Sequence, residues 1–130
     1  VLAAARKATE AGIDLVHGHH PHVVEGIARH AGGLILFSMG NFALRGAANM
    51  GSKGVDKDFG LVVRLTIDPV AHRFTSIEAL PITDMHYVPF AMDAVTAAAR
   101  MKRLNKQSAS LDGGVQLAID ADSGHAYLDL

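Results

Sequence analysis

The segment His17-Gly18-His19-His20-Pro21-His22 places four of the chain's eight histidines within six residues. Imidazole is the commonest metal-ligating side chain and also titrates near neutral pH, so such a cluster serves either to hold an ion or to move a proton. In an extended chain, residues i and i+2 share a side and stand about 6.5 Å apart, so His20 and His22 are expected to converge on one ion or an adjacent pair. Pro21 fixes its own φ and biases the preceding residue toward extended geometry, which favours that arrangement. His19 has the opposite parity and is expected to face away. His17 shares parity with His19 and lies further back, so both rank below His20 and His22 as ligands.

The elements around the cluster read as a scaffold that presents it. Residues 2–11 are rich in alanine with Arg6, Lys7 and Glu10 interspersed, which predicts a helix closed by Gly12. The apolar run 13–16 predicts a short buried strand, with the histidines at its C-terminal end, where α/β folds carry their sites. Residues 23–29 and 34–37 predict two strands joined by the glycine-containing turn Ala31-Gly32-Gly33. That hairpin returns the chain to Ser38-Met39-Gly40-Asn41-Phe42 and predicts that this second polar segment lies beside the histidines. Asn41 there either caps a turn or faces the site, supporting a ligand or binding substrate oxygen.

Further along, residues 43–60 are rich in glycine, asparagine, lysine and aspartate, as expected of a surface loop or lid. Within it, Gly46 to Lys53 approaches a phosphate-binding loop, but serine and lysine are in the wrong order and no helix pattern follows. Alternation at 61–67 and 76–79 around Asp68-Pro69 predicts an antiparallel pair. Asp93 is placed to cap a helix reaching about Lys106, with Ala97, Met101 and Leu104 on its packing face. Val115, Leu117 and Ile119 alternate ahead of a turn at Asp122-Ser123-Gly124 and a final strand. Ser38 lacks the frame of a serine nucleophile, and His30, His72, His86 and His125 are scattered enough to be structural.

Composition narrows the classes. Twelve basic and thirteen acidic residues give a net charge of −1, and no basic run marks a nucleic-acid footprint. The absence of cysteine excludes disulfides and thiolate ligands. No apolar run is long enough to span a bilayer. The chain starts without Met inside a helical pattern, and is read as a C-terminal piece of something longer.

Residues 11–27 and 33–42 closely resemble CapA-type capsule and poly-γ-glutamate biosynthesis proteins, of the calcineurin-like metallophosphoesterase superfamily. The shared pattern is a G-x-H-P-H segment, a glycine-containing hairpin and Y-S-L-G-N-F, with Phe37 here for Tyr and Met39 for Leu. The resemblance implies an α/β (α+β) fold with mixed and antiparallel strands, part of a four-layer αββα sandwich. It implies that residues 1–130 are the C-terminal part of one such domain, 91–130 forming a peripheral helix and tail. It also implies that His20 and His22 are the paired histidines of the last superfamily motif, and that His22 and Asn41 are the catalytic candidates. The cofactor would be a divalent metal, Mn, Zn or Fe, dinuclear in the whole protein, activating water for attack on a phosphoester or related bond. The implied substrate is an anionic polymer or phosphoester, and the implied location is the cell envelope or extracellular face. The superfamily's other ligands come from earlier motifs, so the upstream part of the same domain is an expected partner. A non-catalytic polymer-binding or assembly subunit retaining the metal-ligand motif is the alternative.

Overall fold

A computed structural model describes residues 2–44, 59–84 and 88–130. The elements are α1 (Leu2–Glu10), β1 (Leu15–His17), β2 (Ile27–His30), β3 (Gly33–Leu36), β4 (Gly60–Asp68), β5 (Arg73–Thr83), β6 (Phe90–Ala91), α2 (Ala94–Ala109), β7 (Ala118–Ile119) and β8 (Ala126–Asp129). The first three strands form a mixed sheet in the order β1-β3-β2, with β1 parallel and β2 antiparallel to β3. The others form an antiparallel sheet in the order β4-β5-β8-β7, with β6 pairing the end of β5. The fold is α+β with mixed and antiparallel strands, as the sequence implied.

Strand β3 shows why the first sheet sits where it does. Its residues are buried on both faces, as expected of a central strand in a layered α/β fold. Leu34 and Leu36 enter a core shared with Ile27, Phe59, Leu61, Ile77, Met101 and Leu104, while Ile35 and Phe37 join Ala5 and Ala28 beneath α1. The alternation is the period of a strand, and each fully buried aliphatic side chain contributes about 1.5–3 kcal/mol. The antiparallel sheet and α2 close the other side, with Ala97, Met101 and Leu104 all buried, the packing face expected.

Local chemistry fixes the ends. Gly12 has φ +92 and ends α1, and Ile13 N–H donates back to Ala8 O, so the strand starts at Leu15, two residues later than expected. Ile13 is half exposed as a result. Asp93 accepts from Thr96 N–H and caps α2, which runs three residues past Lys106. The Thr96 backbone N–H, then its side-chain hydroxyl, hold the Asp93 carboxyl below its ordinary range. Its folded pKa is depressed, so the cap's contribution is present above the ordinary carboxylate pKa and is lost as pH falls through the lowered value. Asp93→Asn is expected to flatten the acid limb of a helix melt followed by far-UV circular dichroism.

The second sheet departs from simple alternation at one place. Register shifts between Thr66 and Ile67, and Ile67 is left exposed rather than inward. At the adjoining turn, Asp68 Oδ1 accepts from Val70 and Ala71 N–H, confirming the Asp68-Pro69 turn. The Asp122-Ser123-Gly124 segment is also a turn, organised by Asp120, whose Oδ1 accepts from Asp122 N, Ser123 N and Ser123 Oγ. The loop-or-lid reading falls mostly on residues 45–58, the loop resembling a phosphate-binding site falls wholly there, and His86 also lies outside the described residues.

The β2–β3 connection is the tightest determinant of the site. Ala31 (φ +47) and Gly32 (φ +84) form a two-residue hairpin turn with both central residues left-handed, the geometry whose twist matches the strands it joins. Alanine is the strained member. Ala31→Gly is therefore expected to raise stability by about 0.5–1 kcal/mol, measurable by urea unfolding with an unchanged slope.

Candidate metal centre

The site is built outward from the ends of β1 and β3. After His17, Gly18 N–H donates to Leu36 O at 2.8 Å and carries the parallel ladder one residue further. A Cβ on Gly18 would lie 2.2 Å from the Phe37 carbonyl oxygen, so only glycine lets the two backbones come this close. The hairpin likewise continues past its regular strands: Glu25 N–H donates to Ser38 O at 2.9 Å, and Val24 bridges Met39. Extending the same antiparallel register by two pairs sets His22 across from Asn41.

The side chains meet there. His22 Nδ1 and Asn41 Oδ1 are 2.8 Å apart, and Asn41 is 8% exposed. An amide oxygen only accepts, so His22 Nδ1–H is the donor and Nε2 keeps its lone pair. That arrangement orients the ring and fixes its tautomer, the service a buried polar neighbour gives a ligating histidine. The predicted nearness of Asn41 to the histidines holds.

His19, His20, His22, Gly40, Asn41, Phe42, Ala43 and Leu44 line one cleft of about 340 Å3. The ring centres of His20 and His22 are 6.3 Å apart. Two sequence expectations need correction. His19 lines the same cleft instead of facing away, and its ring lies 4.4 Å from His17. Nor is the loop extended: His20 has φ +105 and His22 φ +58. Strand parity does not apply to such a backbone. The chain must turn from parallel pairing at Gly18 to antiparallel pairing at Val24, and that reversal overrides the local bias of Pro21. Non-glycine residues held in such regions cost about 1–3 kcal/mol each and concentrate at functional sites.

His17 ends β1 at the edge of this group. Partial burial, then the neighbouring His19, push its pKa below the ordinary histidine value, which keeps it neutral at neutral pH.

Whether these residues suit a divalent ion depends on donors and spacing. Imidazole nitrogen binds zinc at about 2.0–2.1 Å, which puts the ring centres of two ligands on one tetrahedral ion about 5 Å apart. The observed 6.3 Å suits two adjacent ions as it stands, or one ion after a small ring rotation. The described lining of the cleft contains no carboxylate. Among the described residues no three His, Cys, Asp or Glu side chains are grouped to hold an ion. The donors fit a divalent cation as part of a site, with further ligands required.

Sequence reasoning missed the glycines that hold this wall in place. Gly40 has φ +69, and its N–H donates to Ser38 Oγ at 3.2 Å. Met39 O accepts from Leu61 N–H, tying the segment to β4, and a Cβ on Gly60 would lie 2.0 Å from Asn41 O. Their signal was present in the sequence as glycines flanking polar residues, but close approach between distant segments has no local signature. Two of the scattered histidines have partners elsewhere: His30 Nε2 pairs with Glu10 at 3.0 Å, and His125 lies 3.8 Å from Glu78.

The bacterial capsule synthesis protein family PGA_cap matches residues 2–45. A PGA biosynthesis protein CapA of Bacillus subtilis (strain 168) is 50% identical over 38 residues, covering 29% of this chain and 10% of the relative. Residues 2–45 are similar to CapA-type capsule biosynthesis proteins. The capsule biosynthesis protein CapA of Bacillus anthracis is 42% identical over 40 residues, 31% of this chain and 10% of the relative. The matched stretch is thus about a tenth of the length of either curated relative. The matched stretch holds α1, β1, the histidine loop, the β2–β3 hairpin and Asn41, so His17, His19, His20 and His22 all lie inside it. No helix among the described residues is long and apolar enough to cross a membrane.

Proposed function

We propose that this chain contributes one wall of a metal-dependent hydrolytic site in a protein of capsule or poly-γ-glutamate biosynthesis, within a metallophosphatase-like αββα sandwich. The observation that carries this is the 2.8 Å contact from the His22 ring to buried Asn41, beside His20 and His19 in one cleft. His20 and His22 are the ligands, with His19 at the rim. They would hold a divalent ion, which would supply Lewis acidity toward a water and toward the phosphoryl or related oxygen under attack. Asn41 positions His22 through Nδ1 and leaves Nε2 directed to the cation. Phe42, 60% exposed at the cleft mouth, offers an apolar surface to the substrate.

A second reading has an observation behind it. Among the described residues the donor set is partial, which suits a polymer-binding or assembly subunit that keeps the ligand motif without turnover. Phosphoester hydrolysis separates the two. A full-length protein containing this segment is expected to hydrolyse a phosphodiester with Mn, Zn or Fe added, to stop with chelator, and to lose activity in the His20→Ala, His22→Ala variant. Metal binding without any turnover would favour the subunit. The 130-residue chain alone is expected to show no metal-dependent turnover, because its ligand set is partial; robust hydrolysis by it would contradict the assignment.

A further inference from the structure

A second cleft, of about 150 Å3, lies at the opposite end of β3 from the histidines and is lined by Arg29, Gly32, Gly33, Leu34, Arg73, Phe74 and Leu130. It brings together two arginines that are distant in sequence, one from β2 and one from the start of β5. Neither guanidinium has an acidic partner among the described residues. The acids closest in register or sequence are engaged elsewhere: Asp68, across from Arg73 in the β4–β5 ladder, accepts from Val70 and Ala71 N–H, and Glu10 pairs with His30. Two cations sharing a concave site with no side-chain carboxylate in its described lining favour an anion there.

We propose that Arg29 and Arg73 form a carboxylate-binding subsite for the anionic polymer. This rests on the reading of the chain as part of a polymer-handling protein. The size of the cleft restricts the ligand: it corresponds to about five waters' share of liquid volume, room for a carboxylate and a short stem but not for a folded chain. The planar fork of each guanidinium matches a carboxylate with two parallel N–H donors, a match that lysine lacks. Leu34, Phe74 and Leu130 give the stem an apolar wall. The chain runs from Gly33 in this cleft through β3 to Gly40 in the histidine cleft, on the order of 20 Å of near-extended chain, a distance that an extended polymer with regularly spaced carboxylates spans.

The test is titration of the full chain with a short γ-linked glutamate oligomer at low ionic strength, read by isothermal calorimetry and by the arginine Nε–H resonances. The oligomer is expected to shift the Arg29 and Arg73 resonances, and Arg29→Gln, Arg73→Gln to weaken binding about tenfold or more. Arg29→Lys, Arg73→Lys keeps the charge and is expected to recover only part of the loss, which provides a folded control if the glutamine variant is unstable. The oligomer is titrated without added divalent metal, so failure of the metal reading and failure of this one are distinguishable. Unchanged oligomer affinity in the glutamine or lysine variants would overturn the proposal. So would inorganic phosphate shifting both resonances while the oligomer shifts neither.

Discussion

Gly60→Ala is expected to destabilise the chain by about 3 kcal/mol and to weaken metal binding in the same step. The new Cβ would stand 2.0 Å from the Asn41 carbonyl oxygen, a backbone atom that no rotamer change can move aside. Relief requires β4 and residues 39–41 to separate, and they are joined by Leu61 N–H donating to Met39 O at 2.9 Å. Phe59, fully buried one residue earlier, leaves β4 little freedom to retreat. The strain should fall on Asn41, drawing its amide from His22. Chemical denaturation gives the stability change, and divalent-ion titration gives the accompanying loss. An alanine variant with wild-type stability would show that the approach of β4 to Asn41 is looser than described.

Asn41→Ala tests the other side of the same contact. It removes the acceptor of the His22 Nδ1 proton, and loss of such a supporting partner typically costs 10–100-fold in metal affinity, roughly 1.4–2.7 kcal/mol. The side chain is buried, so some stability is lost as well, and the two effects must be separated. Asn41→Asp does this. It retains an acceptor at the same place, made stronger by its charge, and is expected to keep metal affinity near wild type at neutral pH. If alanine and aspartate lowered affinity equally, Asn41 would act through packing alone.

Both predictions trace to how the hairpin sets its register. Ala31-Gly32-Gly33 was legible as a turn, and a two-residue turn centred on Ala31 and Gly32 dictates which residues oppose one another down the ladder. Carried to its end, that register pairs Val24 with Met39 and then brings His22 to Asn41. Proximity of the two polar segments was therefore encoded locally. Helix α2 was legible for the same kind of reason: Asp93 supplies a cap, and Ala97, Met101 and Leu104 follow the helical period.

What escaped the sequence depends on contacts between distant segments. The left-handed φ values at His20 and His22 arise because the loop must link a parallel pairing to an antiparallel one, and no residue within it signals that demand. His19 enters the cleft by the same departure from strand parity. Gly18 and Gly60 read as ordinary glycines until the carbonyls of Phe37 and Asn41 are seen against them. The arginine cleft likewise needed the tertiary structure, since Arg29 and Arg73 are unremarkable in their own strands.

The most direct test of the central claim, that His20 and His22 are metal ligands, is the divalent metal content of a full-length protein containing this segment, purified as wild type and as His20→Ala, His22→Ala. Elemental analysis is expected to find bound Mn, Zn or Fe in the wild type and a fall to background in the variant, with the far-UV circular dichroism spectrum unchanged. Equal metal content in the two proteins would contradict the account.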